Sequence, residues 1–270
     1  MKLREFLYGL GVKPRTREFA FDIQRFELSR EGEIEFAVWR HPAEKPKEFT
    51  QAEVDALREF LSPGDYAIDI GAHTGDSALP IALAVGPDGG VLAFEPNPYV
   101  FKILQANANL NKGKINISPF MFAATMEDRE FEFEYSDSGF CNGGLHPGVS
   151  AWRHAHFFKL TVQGRNLEGL IERECPQTSS RIRYIKIDTE GYDPEVVRSI
   201  HGLIERNRPY IKTEIYKHLS SDRRKSYFRE LSGLGYRLYK WENNCTYRGR
   251  AVSEKNADDW KHYDIFAVPE

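Results

Sequence analysis

DIGAHTGD, residues 69–76, joins a predicted strand, residues 66–70, to a predicted helix, residues 76–85. Open α/β sheets bind their ligands beyond the carboxyl ends of the strands, where such turns lie. Gly71 and Gly75 carry no side chains, so the backbone at these positions can approach a ligand closely. The run therefore predicts a ligand site at this turn, although a plain strand-to-helix connection can have the same composition.

Outward from this turn, segments with strand character alternate with segments of helical periodicity. Such alternation is typical of a parallel sheet with right-handed helical crossovers, so we predict an α/β fold. Between residues 124 and 183 the alternation breaks, with strands at 130–135 and 157–163 and a short helix at 167–174. The predicted strands of the main sheet are 66–70, 91–94, 115–123, 184–187, 210–215, 236–241 and 263–268, and its helices are 76–85, 98–110, 194–204 and 221–231.

The first 48 residues form a separate N-terminal extension in this interpretation. Residues 19–28 and 34–40 are rich in β-forming residues and predict a β-hairpin, followed by a linker with two prolines. Thr50 and Glu53 have the spacing of a capping box and predict the start of a helix that runs toward Pro63. The α/β domain then occupies residues 49–270.

The composition excludes several classes of protein. Of 270 residues, 41% are hydrophobic and 29% are charged, which is typical of a globular domain with a buried core. A formal net charge of −3 disfavours a protein that holds nucleic acid mainly through its phosphates. The three cysteines are scattered, without a CxxC pair, and favour a reducing compartment. With no apolar run long enough for a signal peptide or a membrane span, we predict a cytoplasmic location.

An acid at the end of the second strand points to the class of ligand. Glu95 follows the glycine turn by about 20 residues, the spacing at which a carboxylate accepts hydrogen bonds from ribose hydroxyls. The turn itself has the spacing Gly-x-x-x-Gly and lacks the third glycine of the dinucleotide fingerprint. Together these features favour an adenosyl ligand without a pyrophosphate, while a solvated loop acid is the alternative interpretation of Glu95.

Five stretches of the chain together resemble the FkbM family of methyltransferases. The resemblance extends over roughly residues 63–216, and each stretch is weak evidence without the others. The matching stretches are residues 69–80, FEPNP at 94–98, residues 107–111, LEGL at 167–170 and IKIDTEG at 185–191, followed by Arg208-Pro209 and Glu214.

The resemblance implies a Rossmann-like class I methyltransferase fold. That fold has a mostly parallel sheet of seven strands with helices on both faces, and its last strand runs antiparallel. The resemblance also implies S-adenosylmethionine as the methyl donor. The implied reaction is O-methylation of a sugar, glycan or natural product.

Site residues are carried over from the matching motifs. Asp188, Glu190 and Glu214 are the catalytic candidates, and we favour the first two as bases that face the acceptor. His73 departs from the family pattern, which commonly has Asn at that position. The predicted cofactor-binding residues are Asp69, Gly71, Ala72, His73, Gly75, Asp76, Glu95 and Asn97.

Two carboxylates at the end of a strand permit more than one kind of chemistry. A positioned base can take the proton from an acceptor hydroxyl and accelerate transfer by about 10²–10⁴-fold. Asp188 and Glu190 can also bind a divalent cation through oxygen, or cap the following helix. His154 and His156 lack a nearby carboxylate or cysteine cluster, so we predict no metal site there. The glycine-containing loop 136–156 is expected to act as a lid that chooses the acceptor.

Other functions compatible with the fold remain open at this point. An NAD-dependent oxidoreductase or epimerase uses a similar strand, turn and ribose acid, but the chain lacks the third glycine and a Tyr-x-x-x-Lys pair. A non-catalytic S-adenosylmethionine-binding module is the third possibility, against which the retained Asp188 and Glu190 argue. Nucleic-acid methylation is disfavoured by the acidic balance and by the lack of a base-flipping motif.

Overall fold

A computed structural model describes residues 15–135, 143–144 and 158–270 of the chain. In these residues the strands form three sheets: a two-stranded hairpin, a large central sheet and a smaller four-stranded sheet. No helix in the described ranges is both long enough and apolar enough to cross a membrane.

The predicted N-terminal hairpin is confirmed. β1 (Phe21–Leu28) pairs antiparallel with β2 (Gly32–Trp39). The first helix, α1 (Gln51–Leu57), begins at the predicted capping box, because Thr50 Oγ1 accepts from the Glu53 N–H and a Glu53 carboxylate oxygen accepts from the Thr50 N–H. The helix does not run on toward Pro63; it ends at Leu57, and the chain continues to Leu61 as hydrogen-bonded turns.

The next five elements follow the predicted alternation and build one half of the central sheet. They are β3 (Tyr66–Ile70), α2 (Ala78–Val85), β4 (Gly90–Phe94), α3 (Pro98–Asn109) and β5 (Ile117–Phe120).

The predicted strand over residues 115–123 is wrong in its extent. It divides into β5, which pairs with β4, and β6 (Ala123–Thr125), which belongs to the smaller sheet. The smaller sheet also contains β7 (Arg129–Tyr135), β8 (Gly143–Gly144) and β9 (Phe158–Asn166), in the order β6-β9-β7-β8. The chain leaves the central sheet after Phe120 because the backbone of residues 123–125 finds its partners on β9 instead.

The remaining elements complete the central sheet. The predicted helix over 194–204 is interrupted at Ile200, where the backbone leaves helical geometry and the Ser199 hydroxyl donates to the Val196 carbonyl. The elements are α4 (Leu167–Glu174), α5 (Pro176–Ser179), β10 (Ile182–Ile187), α6 (Asp193–Ser199), α7 (His201–Asn207), β11 (Tyr210–Ile215), α8 (Ser221–Gly233), β12 (Tyr236–Lys240), β13 (Ala251–Val252) and β14 (Tyr263–Pro269).

The central sheet has the order β13-β12-β14-β11-β10-β3-β4-β5. β14 is antiparallel to both of its neighbours, β11 and β12, as expected for a class I methyltransferase. The sheet has eight strands where seven were predicted, because residues 251–252 add a short strand beside β12. The chain order reverses between β10 and β3, and ligands of open α/β sheets bind at such a switch point.

The two faces of the sheet are covered by separate apolar cores. Ile68 and Ile70 of β3 point into one core, while Ala67 points into the other, toward α2. Asp69 is fully buried on the same face as Ala67. A buried charge is costly unless it is paired, so a partner for Asp69 is expected nearby.

The hairpin packs against the outer helix of this half of the sheet. Asn111, just beyond α3, pairs with the backbone of Glu35 on β2: its Oδ1 accepts from the N–H and its Nδ2 donates to the carbonyl, both at 2.8 Å. Backbone groups of β2 that face away from β1 are satisfied in this way. The hairpin therefore lies against the end of α3.

Candidate active site

A cavity of about 510 Å³ lies at the carboxyl ends of β3, β4 and β10. The structure brings most of the predicted site residues together around this cavity. The predicted residues that line the cavity are Gly71, His73, Asp76, Glu95, Asn97, Asp188 and Glu190, whereas Asp69, Ala72, Gly75 and Glu214 lie outside its lining.

The glycine turn is fixed by its own backbone. The N–H groups of Gly71 and Ala72 both donate to the Phe94 carbonyl at 3.0 Å. Gly71 has a φ of 74°, and a Cβ built there would lie 2.0 Å from the Asp188 carbonyl oxygen. Glycine is therefore required at 71 by the close approach of the β10 end, in addition to any approach of a ligand.

Asp69 and Lys186 hold this turn in place through an ion pair and hydrogen bonds. Asp69 accepts a hydrogen bond from the Ser77 hydroxyl at 2.6 Å and forms an ion pair with Lys186 Nζ at 3.1 Å. Lys186 Nζ also donates to the Gly71 carbonyl at 3.0 Å. Burial lowers the pKa of Lys186, but the carboxylates of Asp69 and Asp188 outweigh it, so the pKa lies above its ordinary value and the lysine stays charged. Lys186 is part of the matching stretch at residues 185–191, but its ion pair with Asp69 and its bond to Gly71 were not predicted from the sequence.

Glu95 is held in one orientation beside the turn. One carboxylate oxygen accepts from the His73 N–H at 3.1 Å, and the other accepts from the Asn97 N–H at 2.9 Å. The side chain is buried, and burial raises its pKa. Because each carboxylate oxygen can accept more than one hydrogen bond, both retain capacity for hydroxyl donors in the cavity. The arrangement fits a ribose diol.

Asn97 caps the N-terminus of α3. Its Oδ1 accepts from the Tyr99 N–H at 3.0 Å and caps α3, which has Pro98 in its first turn. The side chain also borders the cavity. A cofactor contact from Asn97 remains a prediction.

The linker from the N-terminal hairpin reaches the same turn. Lys47 forms an ion pair with Asp76 at 2.7 Å and with Glu44, and Lys45 lines the cavity. Burial raises the pKa of Asp76, but the charge of Lys47 outweighs it and keeps the pKa below its ordinary value. The contact between Lys47 and Asp76 joins residues 29 positions apart and leaves no local pattern, so sequence reasoning missed it.

The turn after β10 is organised by Asp193. Its carboxylate accepts from the backbone N–H and the hydroxyl of Thr189, from the Thr213 hydroxyl and from the Glu214 N–H, at 2.7–3.2 Å. Burial raises the pKa of Asp193 to about 6. Asp193 ties the turn to β11 and so fixes where Asp188 and Glu190 stand.

Asp188 and Glu190 face the cavity in different environments. Asp188 is 46% exposed at its side chain, with Lys186 at 3.7 Å. Glu190 has a φ of 53° and is less exposed, and its pKa is raised first by burial and then by the charge of Asp188. Helix α6 begins after Tyr192 without a side-chain cap, so neither acid caps it. Both remain predicted catalytic residues.

Glu214 lies apart from these two acids. Its Oε1 is 2.5 Å from His262 Nε2, on the far side of the turn from the cavity lining. Burial and the neighbouring acids Asp188 and Asp193 raise its pKa to about 10, so the carboxyl is protonated at neutral pH. The geometry gives Glu214 no contact with the cavity in its present position.

The outer wall of the cavity comes from the smaller sheet and from the chain that leads into it. Its aromatic side chains were not predicted as site residues, because ordinary strand residues give no local signal of function. They are Phe122, Phe133 and Tyr135, and Tyr192, from the turn before α6, adds a further aromatic side chain to the lining. The predicted lid over 136–156, with His146, His154 and His156, lies outside the described residues apart from 143–144. Over the described ranges, no three histidine, cysteine or acidic side chains are grouped to hold a metal ion.

Comparison with known families gives one match over much of the chain. The family model described as the Methyltransferase FkbM domain matches residues 69–248. This range begins at the glycine turn and includes Glu95, Asp188 and Glu190. A comparison with curated proteins gives no match.

Comparison with solved structures gives distant similarities. The FkbM methyltransferase from Methylobacillus flagellatus has 15% identity and a TM-score of 0.47, over 77% of this chain and 44% of its own. An S-adenosylmethionine-dependent O-methyltransferase from Thermotoga maritima has 14% identity and a TM-score of 0.43, over 92% of this chain and 77% of its own. Fibrillarin from Aeropyrum pernix, solved with bound S-adenosylmethionine, has 13% identity and a TM-score of 0.43, over 94% of this chain and 99% of its own. The chain thus spans less than half the length of the Methylobacillus protein.

Proposed function

The chain belongs to the FkbM methyltransferase family, and we propose that it transfers the methyl group of S-adenosylmethionine to a hydroxyl oxygen of a small-molecule or glycan acceptor. The donor lies across the glycine turn, with its ribose at Glu95 and its amino-acid end near Gly71 and Asp76. Asp188 and Glu190 face the acceptor.

The orientation of Glu95 is the observation that carries this proposal. Two backbone N–H groups hold its carboxylate at the cavity wall while leaving acceptor capacity on both oxygens. The two hydroxyls of a ribose match that capacity. A pyrophosphate does not, because its oxygens cannot donate hydrogen bonds to the Glu95 carboxylate and carry the same sign of charge. The site therefore suits an adenosyl ligand whose charge is positive.

Bound S-adenosylmethionine supplies a methyl group already activated by a sulfonium. The chain's own residues then align the acceptor and remove its proton. In-line alignment of two reacting atoms is worth roughly 7–11 kcal/mol. Glu190, whose pKa is raised by burial and by the charge of Asp188, would accept the proton of the hydroxyl as the new carbon–oxygen bond forms and the carbon–sulfur bond breaks. The products are a methyl ether and S-adenosylhomocysteine.

Calorimetry with S-adenosylhomocysteine and with NAD tests the donor half of the proposal. We expect tight binding of S-adenosylhomocysteine, weak or no binding of NAD, and a sharp loss of affinity in Glu95→Ala. The matched control is Glu59→Ala, an exposed acid beyond α1. Binding of NAD alone contradicts the proposal, as does undiminished affinity in the Glu95 variant.

Transfer of labelled methyl groups to a panel of glycans and hydroxylated small molecules tests the acceptor half. With an acceptor that is methylated, Glu190→Gln should retain affinity for S-adenosylhomocysteine and lower turnover by about 10²–10⁴-fold. Mass spectrometry should place the methyl group on oxygen. Full turnover in Glu190→Gln, or methylation at nitrogen or carbon, contradicts this half.

A further inference from the structure

The linker between the hairpin and α1, residues 41–50, is anchored against the glycine turn. Lys47 is mostly buried and forms an ion pair with Asp76, the last residue of the turn. The indole of Trp39, at the end of β2, contacts the His73 imidazole with ring centroids 6.0 Å apart. The position of the linker is therefore set by the same residues that form the predicted donor site.

One cation of this linker, Lys45, has no ion-pair partner among the described residues. Among the described residues that line the cavity, the lysines are Lys45, Lys186 and Lys212. Lys186 is paired with Asp69 at 3.1 Å, and Lys212 with Asp264 at 2.5 Å. Lys45 is exposed, and no carboxylate in the described ranges lies within ion-pair distance of it. It stands two residues before Lys47, the residue that forms the ion pair with Asp76.

We infer that Lys45 binds the carboxylate of the donor's amino-acid end, an inference that rests on the proposed function. With the ribose at Glu95, the amino-acid end of the donor extends along the turn toward Asp76. The lining on that side presents Asp76 and Glu95, and Lys47 is already in an ion pair with Asp76. A cation favours a carboxylate placed there, and among the described lysines of the lining Lys45 is the one without an ion-pair partner. The N-terminal extension is thus part of the donor site.

Decarboxylated S-adenosylmethionine gives a direct test, because it lacks only the carboxylate. Binding of the donor and of this analogue is measured by calorimetry in wild type, Lys45→Ala and the control Lys112→Ala, an exposed lysine beyond α3. A charge-assisted hydrogen bond corresponds to a loss of about tenfold or more, so Lys45→Ala should lose that factor for the donor. It should bind the decarboxylated analogue as wild type does, and Lys112→Ala should bind both normally.

The outcomes separate the inference from its premise. If Lys45→Ala binds the donor as wild type does, or loses the same factor for both ligands, the inference is overturned and the proposed function stands. If wild type binds no S-adenosyl ligand, the proposed function fails and the inference fails with it. If Lys45→Ala loses affinity only for a negatively charged acceptor and keeps its affinity for the donor, Lys45 is assigned to the acceptor and the inference is likewise overturned. Equal melting temperatures of the three proteins exclude misfolding.

Discussion

The side-chain amide of Asn107 pairs with the backbone of Ala37 in both directions. Its Oδ1 accepts from the Ala37 N–H at 2.6 Å, and its Nδ2 donates to the Ala37 carbonyl at 3.1 Å. The same Nδ2 donates to the Thr74 carbonyl at 2.8 Å. One buried side chain of α3 therefore connects the N-terminal hairpin with the glycine turn.

Replacing this amide should destabilise the fold. In Asn107→Ala, three buried backbone groups lose their partners, and unsatisfied buried groups cost about 1–3 kcal/mol each. We expect the free energy of unfolding to fall by about 3 kcal/mol in urea denaturation, allowing for partial rehydration. Asn109→Ala, an exposed position on the same helix, should be close to wild type. Equal stability of the two variants would show that the hairpin is not held through Asn107.

Two glycine variants separate steric contact from backbone strain. Gly71→Ala places a Cβ 2.0 Å from the Asp188 carbonyl oxygen at a φ of 74°. Gly113→Ala has a φ of 86° but no atom within 4 Å of its Cβ. Strain alone costs about 1–2 kcal/mol, so Gly113→Ala should lose that amount of stability and keep its affinity for S-adenosylhomocysteine.

Gly71→Ala should lose more stability than Gly113→Ala and should also lose donor affinity, because the end of β10 must move. Thermal melting and calorimetry measure the two effects. Comparable behaviour of the two variants would refute the close approach of Asp188 as the reason for glycine at 71.

The buried ion pair between Lys186 and Asp69 should be far more important than an exposed one. Lys186→Met leaves the fully buried Asp69 with the Ser77 hydroxyl as its remaining side-chain partner. Removing one partner of a buried pair costs about 3–5 kcal/mol. Lys159→Met, which removes the exposed pair with Glu132, should change stability little. Chemical denaturation compares the two variants, and an equally small loss of stability in both would show that the buried pair contributes no more than the exposed one.

Donor affinity should depend on pH through Glu95. Burial raises the pKa of this carboxyl above its ordinary value of 4.5. The ribose hydroxyls donate to the ionised form, so binding is full above the raised pKa and is lost as pH falls through it. Glu95→Gln should bind S-adenosylhomocysteine more weakly and without this pH dependence. Titrations from neutral to acidic pH measure the effect, and affinity that rises on acidification would reverse the assigned charge state.

Local signals in the sequence were sufficient for much of the fold. The capping box at Thr50, the alternation of strands and helices, and the helix at Leu167–Glu174 all appear where the pattern predicts them. The glycine turn and Glu95 also lie together at the cavity as expected. These features depend on neighbouring residues or on the general geometry of parallel sheets, so a pattern of residues can reveal them.

The remaining features depend on partners distant in sequence. Residues 115–123 were predicted as one strand, yet the choice of β9 as the partner of residues 123–125 divides them between two sheets. The helix predicted over 194–204 is broken at Ile200, although apolar periodicity continues through it. The contact of Lys47 with Asp76 is likewise set by the path of the linker. No window of neighbouring residues contains this information.

The bond from Lys186 to the carbonyl of Gly71 joins positions 115 residues apart. A growing chain that has already completed β3 and its turn still lacks this support until β10 has been made and has docked. Contacts of such separation form late and slowly. A ligand that recognises only the finished turn would favour the complete chain over its shorter precursors, by an amount set by its free concentration relative to Kd. If the proposed methyl donor recognises the turn in this way, its binding would stabilise the folded chain.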